Sequence, residues 1–188
     1  IFATNMSMAG LWAGQWFRHV SMYSPIEASH HLFVITVSLI IGIFLNGLIA
    51  DRMTNQFNQP ITRVMGVGFC LFIIMEILII ASPPLSGSYL AWFLFGFFGR
   101  NVTLGYAAIS QHFPANYAGR SVTAMNMLYF LTSFVMQFAF GAIINLWPIT
   151  TVDTYPTIAY HIAFALMVGL QIIALLWFAW YRKPALGR

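Results

Sequence analysis

Long uninterrupted runs of apolar residues limit what this chain can fold into more than any other feature of its sequence. Complete runs lie at residues 28–50, 61–82, 88–110, 119–147 and 156–181, and a partial run spans residues 1–17. A bilayer core about 30 Å thick is crossed by roughly 20 residues of helix, so each complete run is long enough to span it. Because 60% of the residues are hydrophobic and only 6% are charged, the composition excludes an ordinary soluble domain.

The segments between the runs contain residues that end or cap helices. They read SPIE, DRMTNQFNQP, SPPLSG, QHFPANYAGR and WPITTVDTYP, each with Pro, Asn, Asp or Gly. Backbone groups in lipid must be hydrogen-bonded internally, and the runs are too long for the strands of a barrel. We therefore predict an all-α integral membrane protein, a bundle of six transmembrane helices that forms a single transmembrane domain over residues 1–188.

Basic residues are distributed unevenly between the two predicted sides of the membrane. If the helices alternate in direction, one side receives only one arginine, together with two acidic residues: Arg18, Glu27 and Asp153. The other side receives Arg52, Arg63, Arg120, Arg182, Lys183 and Arg188. The positive-inside rule places this second set, and the C-terminus, in the cytoplasm. The basic character of the chain therefore indicates topology and gives no reason to expect nucleic acid as a partner.

The beginning of the chain and its few metal-ligating residues narrow the class further. The sequence starts within an apolar run, without Met or a charged leader, so we expect it to be part of a longer protein. A single cysteine, Cys70, excludes an internal disulfide and a cysteine-based metal cluster. His30 and His31 are adjacent and point about 100° apart on a helix, which makes a poor metal pair. We expect neither a metal nor another cofactor.

A short segment at the end of the second helix carries a family resemblance. The residues GLIADR, from Gly47 through Asp51 to Arg52, resemble the G-x-x-x-D-R signature of major facilitator superfamily transporters. In that family the signature occupies the cytoplasmic loop between the second and third helices of each six-helix half. In physical terms, Gly47 would let helices approach closely, and Asp51 would accept hydrogen bonds from a helix N-terminus or a basic group. The resemblance therefore implies an inner gating motif here.

A second segment resembles the same superfamily over a longer stretch. It is similar to the entry into the eleventh helix of bacterial transporters, F-P-x-x-x-A-G-R followed by T-A-x-N and Q-x-x-x-G. The matching residues are Phe113, Pro114, Ala118, Gly119, Arg120, Thr123, Ala124, Asn126, Gln137 and Gly141. Gly119 and Arg120 among them are further candidates for the gating motif. The opening GLWAGQWF likewise resembles the outer part of a seventh helix. Together these stretches imply the C-terminal half, helices 7 to 12, of a transporter in a bacterial inner membrane, whose N-terminal six-helix half is a missing partner.

The family architecture implies two inverted three-helix repeats and a substrate cavity at the midplane between the halves. Helical periodicity collects small and polar residues of the fifth helix on one stripe, which includes Gly119 and Gly141. Such residues either line a cavity or pack against neighbouring helices, and the sequence leaves both alternatives open. The candidate cavity residues are Asn5, His31, Ser38, Arg100, Thr103, Asn126, Phe130, Ser133 and Gln137.

Arg100 is the most informative of these candidates because it is a permanent charge within an apolar run. A charge at the bilayer centre costs about 2.5 to 3.5 kcal/mol even on the lenient insertion scale. Arg100 is therefore expected to face water, a ligand or a carboxylate. Bidentate binding of an anionic substrate group is one interpretation. A structural ion pair, or a side chain that extends to the nearer interface, is the other.

Glu76 is the only acidic residue within a complete run. It is a candidate partner for Arg100, although the two lie about 9 Å apart in depth at 1.5 Å per helical residue. Its helix face is apolar, which favours the protonated carboxyl and makes Glu76 a candidate for proton coupling. A neutral Glu with a structural role is the alternative, and the counter-charge of Arg100 is equally expected in the missing half.

These features predict a secondary active transporter that moves a small solute by alternating access, with the bilayer as its surroundings. Proton coupling is an open option, as are symport and antiport. A half-size transporter that dimerises and a structural membrane subunit are alternatives. A six-helix intramembrane enzyme would need a buried, activated serine, and the nearest motif, LSGS at residues 85–88, lies in a short predicted loop. We therefore do not predict an enzyme.

Overall fold

The computed structural model describes residues 1–82, 84–149 and 154–181, apart from the side chains of Ser86 and Tyr181. Its helices are α1 (Phe2–Ser7), α2 (Ala13–His19), α3 (Pro25–Phe57), α4 (Ile61–Ile80), α5 (Leu85–Gly99), α6 (Thr103–His112), α7 (Ala115–Ile144) and α8 (Thr157–Tyr181). A π-helical turn, Met8–Trp12, joins α1 to α2, and a 3₁₀ turn, Arg100–Val102, joins α5 to α6. The described residues thus form six helical segments and no strand, which confirms the prediction of an all-helical chain.

Four of the six segments are long and apolar enough to cross a membrane. They are Pro25–Phe57, Ile61–Ile80, Ala115–Ile144 and Thr157–Trp180. The other two segments are divided by the π-helical and 3₁₀ turns, and their longest unbroken helix, α5, has 15 residues. These four helices support a membrane-embedded protein. The side of the membrane on which each end lies remains a prediction, and Asp153, Arg182, Lys183 and Arg188 lie outside the described residues.

The largest departure from the predicted boundaries is at the end of α3, which continues seven residues beyond the expected residue 50, to Phe57. Residues 51–57 contain neither Gly nor Pro, and their polar side chains are solvated along a continuous helix. The helix ends at Asn58, whose φ of 48° is left-handed, before Pro60. The predicted loop between the second and third segments is therefore only three residues long, and the GLIADR motif lies within α3.

A capping box and prolines mark several of the other helix starts. Ser24 and Glu27 form a capping box before α3, with Pro25 at its first position. Pro84 and Pro114 directly precede α5 and α7, which begin at Leu85 and Ala115 rather than at the predicted 88 and 119. The apolar runs indicate the part of each helix that can cross the membrane, whereas the capping box and the prolines mark where these helices begin.

Aromatic contacts show how consecutive segments run. Phe17 at the end of the first segment lies 4.8 Å, between ring centroids, from His31 near the start of α3. The His31 ring stacks on Tyr89 near the start of α5 at 3.9 Å, and Trp16 lies 5.0 Å from His161 near the start of α8. These ends meet at one side of the bundle, so consecutive segments alternate in direction. Arg52, Arg63 and Arg120 lie toward the opposite end.

Two polar side chains, Ser38 and Asn101, fit against glycines of neighbouring helices. A Cβ added at Gly96 would lie 1.9 Å from the Ser38 hydroxyl oxygen, and one at Gly68 would lie 2.2 Å from the Asn101 amide nitrogen. Such distances leave no room for a side chain, so the glycines let α5 and the 3₁₀ turn approach α3 and α4. Gly47 behaves differently, since nothing lies within 4 Å of where its Cβ would be. The close approach expected at Gly47 is therefore absent among the described residues.

Candidate functional site

Arg100 lies at the break between α5 and α6. It begins the 3₁₀ turn Arg100–Val102, and the Thr103 hydroxyl donates to the Arg100 carbonyl oxygen at 3.0 Å. The break coincides with two close contacts: the Asn101 amide donates to the Met65 carbonyl oxygen at 2.6 Å, and Asn5 fits against Gly99. A 3₁₀ stretch inside a long helix commonly marks strain or a functional position. Tertiary contacts thus hold the turn that carries the guanidinium.

The guanidinium of Arg100 lies against an aromatic pair. Its central carbon is 5.9 Å from the Phe2 ring centroid, a cation–π distance. Phe2 in turn stacks on Tyr129 of α7, with centroids 4.2 Å apart and planes 18° from parallel, and the Tyr129 hydroxyl donates to the Met6 sulfur. The side chain of Arg100 is half-buried, and its Nε is buried without a hydrogen-bond partner. The unpartnered Nε shows that the described chain does not satisfy this guanidinium, so the position favours a ligand that accepts hydrogen bonds from its terminal nitrogens.

The stripe predicted on α7 divides into an exposed part and a buried part. Asn126 is exposed and its Oδ1 accepts from the Tyr106 hydroxyl of α6 at 2.8 Å. Phe130 is 52% exposed and Gln137 is half-buried. Ser133 is only 4% exposed, and its hydroxyl lies close enough to Tyr129 to interact with it, although no hydrogen bond of ordinary geometry joins the two. Thr103, Asn126, Phe130 and Gln137 are accessible in the described chain, whereas Ser133 lies under its surface.

The candidates on the first and second segments lie inside the bundle. Asn5 is 2% exposed and fits against Gly99, while the buried Ser38 donates to the Ile35 carbonyl oxygen at 2.7 Å. His31 is fully buried, with its Nδ1 2.8 Å from the Glu27 carbonyl oxygen. Helix packing, the second of the two alternatives for such residues, fits Asn5, His31 and Ser38 best.

Glu76 lies in an enclosed polar pair with Gln171 of α8. Both residues are almost fully buried, at 0% and 1% exposure, and Gln171 faces the Glu76 carboxyl closely enough to interact with it. Both oxygens of the Glu76 carboxyl and both heteroatoms of the Gln171 amide lack a hydrogen-bond partner, so no hydrogen bond of ordinary geometry joins the two side chains. Glu76 therefore does not pair with Arg100. An ionised carboxylate here would be very costly, whereas a neutral carboxyl and an amide can exchange two hydrogen bonds.

The residues of the predicted gating motifs lie on the surface of the described chain. Asp51, Arg52, Gly119 and Arg120 are exposed, and nothing lies within 4 Å of a Cβ built at Gly119. The Arg52 Nε donates to the Gln56 side chain at 2.9 Å, within the same helix. A latch that involves these residues would need a partner outside the described chain.

Sequence reasoning missed the partners that define both charged environments. Phe2 lies against Arg100, with Tyr129 stacked on Phe2, and Gln171 faces Glu76. Gln171 carried a usable signal, since it is a lone amide within the apolar run of the last helix. Phe2 and Tyr129 carried none, because aromatic residues are common throughout the chain. Among the described residues, no three His, Cys, Asp or Glu side chains are grouped as a metal site.

Comparison with protein-family models, curated proteins and solved structures finds no match for this chain. The resemblance to major facilitator transporters therefore depends on the quoted sequence motifs alone.

Proposed function

We propose that this chain is the C-terminal six-helix half of a major facilitator transporter, and that Arg100 binds an anionic group of a small substrate. The observation that carries the proposal is the position of the guanidinium: half-buried at a helix break, beside the Phe2 ring that stacks on Tyr129, with Nε lacking a partner. A guanidinium binds carboxylate or phosphate bidentately, and low-dielectric surroundings strengthen that interaction. The aromatic rings would contact the apolar part of the substrate.

The exposed polar groups near Arg100 extend the proposed site. Thr103 lies three residues after Arg100 and its hydroxyl donates to the Arg100 carbonyl oxygen, and Asn126 is joined to Tyr106 across α6 and α7. An alternating-access transporter binds its substrate between two halves, so the site residues of one half are expected to be accessible in the absence of the other. In this proposal the C-terminus is cytoplasmic and the protein resides in a bacterial inner membrane.

Transport by the full-length protein in proteoliposomes tests the proposal. Anionic, neutral and cationic metabolites are compared as competitors for uptake, with and without a pH gradient. We expect competition by anions only, its loss in Arg100→Ala, and partial activity in Arg100→Lys, which keeps the charge but not the bidentate geometry. Arg18→Ala, which removes an exposed arginine of α2, is the matched control and is expected to transport normally. Normal uptake of anions by Arg100→Ala would refute the assignment of the site.

A dimer of this six-helix unit is a second candidate, favoured by the exposed aromatic face of α7. Phe130, Phe134 and Phe138, spaced by four residues, are 52%, 68% and 73% exposed. Such a face fits either the N-terminal half or a second copy of the chain. Cysteine cross-linking at Phe134→Cys in native membranes separates the two, because only a dimer gives a cross-linked species of twice the mass.

A further inference from the structure

A groove of about 300 Å³ lies between α3 and α4, beside the turn that joins them. Both helices pack on α5, and where they diverge Phe98 and Asn101 form the floor of the groove. The side chains of Asn46 and Asn101 are engaged there, donating to the carbonyl oxygens of Phe97 and Met65 at 2.8 and 2.6 Å. The groove is therefore held open by fixed contacts between helices.

The walls of the groove are apolar and follow the axes of both helices. Ile49 and Met53 of α3 form one wall, and Val64, Val67 and Leu71 of α4 form the other. The α4 residues are spaced i, i+3 and i+7, so this wall is one helix face about 10 Å long. Ile49, Met53 and Val67 are 43%, 37% and 55% exposed. In a bilayer such a groove opens to lipid, and an acyl chain fits it.

The end of the groove nearest the turn is cationic. Arg63 and Gln59 line this end, and the Arg63 guanidinium bonds to the Gln59 side-chain oxygen while its other N–H groups remain available. None of the lining residues is acidic. The polar turn between α3 and α4 suits the headgroup layer, so Arg63 lies where a phosphate is expected when an acyl chain occupies the groove.

We propose that this groove binds one anionic phospholipid, with an acyl chain between α3 and α4 and the phosphate on Arg63. The positive charge of Arg63 favours an anionic headgroup, and the apolar walls favour a lipid over a soluble anion. The proposal requires only that the protein is embedded in a membrane, so it stands or falls separately from transport.

Native mass spectrometry of the full-length protein, delipidated and then titrated with phosphatidylglycerol or phosphatidylcholine, tests the proposal. We expect one tightly held phosphatidylglycerol per protein and no comparable phosphatidylcholine. Arg63→Gln is expected to lower phosphatidylglycerol affinity by about fivefold, the effect of one basic residue near an anionic surface. Val67→Trp fills the groove without changing charge and is expected to lower affinity as well.

The matched control is Arg52→Gln, which removes an exposed arginine of α3 that does not line the groove. It is expected to bind phosphatidylglycerol as the wild type does. Equal retention of both lipids by the wild type would overturn the proposal, as would an equal loss of affinity in Arg52→Gln and Arg63→Gln. Unchanged affinity in Val67→Trp would place the lipid elsewhere and overturn it too.

Discussion

Arg100 and Glu76 are both ionisable residues within long apolar stretches, yet their surroundings differ in every respect that governs charge. Arg100 lies at a helix break, half-buried, with an aromatic ring beside its guanidinium. Glu76 lies within the continuous helix α4, fully enclosed, with the Gln171 amide as its polar neighbour. A single ionisable residue in an apolar run can therefore be accommodated in two ways: half-buried at a helix break, or fully enclosed beside a polar side chain.

The difference follows from the chemistry of the two groups. A guanidinium cannot lose its charge in a protein, so Arg100 has to stay near water or an anionic partner. A carboxyl can take up a proton and become neutral, so Glu76 can be enclosed entirely. The enclosed position favours a structural role for Glu76 over the proton-coupling role, which stays a prediction.

Removing the carboxyl of Glu76 is expected to have the largest effect on stability. Glu76→Ala leaves a cavity and an unpartnered Gln171, and we expect the free energy of unfolding to fall by roughly 2 to 5 kcal/mol. Glu76→Gln keeps the volume and a neutral hydrogen-bonding group, so it is expected to stay within about 1 kcal/mol of the wild type. Denaturant unfolding in detergent micelles measures both. Equal destabilisation by the two variants would contradict a neutral, hydrogen-bonding carboxyl at this position.

Removing the side chain of Arg100 is expected to change stability less. A cation–π contact at a partly exposed position contributes about 0.5 to 1 kcal/mol, and no carboxylate is left unpaired when it is lost. Arg100→Ala should therefore unfold close to the wild type in the same assay, although transport is expected to be lost. If this variant were as unstable as Glu76→Ala, Arg100 would be a structural residue and the contrast between the two regions would disappear.

The smallest effect is expected for the polar contact beside the proposed site. Tyr106→Phe removes the hydrogen bond to exposed Asn126, whose amide can bond to water instead, so the free energy of unfolding is expected to fall by about 0.5 kcal/mol.

Gln171→Leu is the counterpart in the enclosed region. It would leave Glu76 without a polar partner, so the free energy of unfolding should fall by more than in Tyr106→Phe. Thermal unfolding midpoints of the two variants compare the regions directly. A larger fall in the unfolding midpoint for Tyr106→Phe than for Gln171→Leu would contradict the description of the Arg100 region as exposed and the Glu76 region as enclosed.

Much of the architecture was predictable because lipid leaves few alternatives to a helix. The apolar runs indicated six helical segments, and proline and the Ser24–Glu27 pair mark where several helices begin. The end of α3 was not predictable in the same way, since residues 51–57 are polar and look like a loop. Polarity marks where a helix leaves the apolar layer, whereas only a glycine, a proline or a left-handed residue such as Asn58 ends it.

The sequence by itself determined the composition of each helix, the lone charges of Arg100 and Glu76, and the periodic stripes of small and polar residues. It left open whether those residues line a cavity or join helices, because both uses have the same spacing along one helix. Only the tertiary structure decided that Asn5 and Ser38 fit against glycines of α5, that Gln171 faces Glu76, and that Phe2 lies beside Arg100. The physical reason is that burial and hydrogen bonding depend on what the opposite helix presents, and periodicity within one helix carries no information about its neighbour.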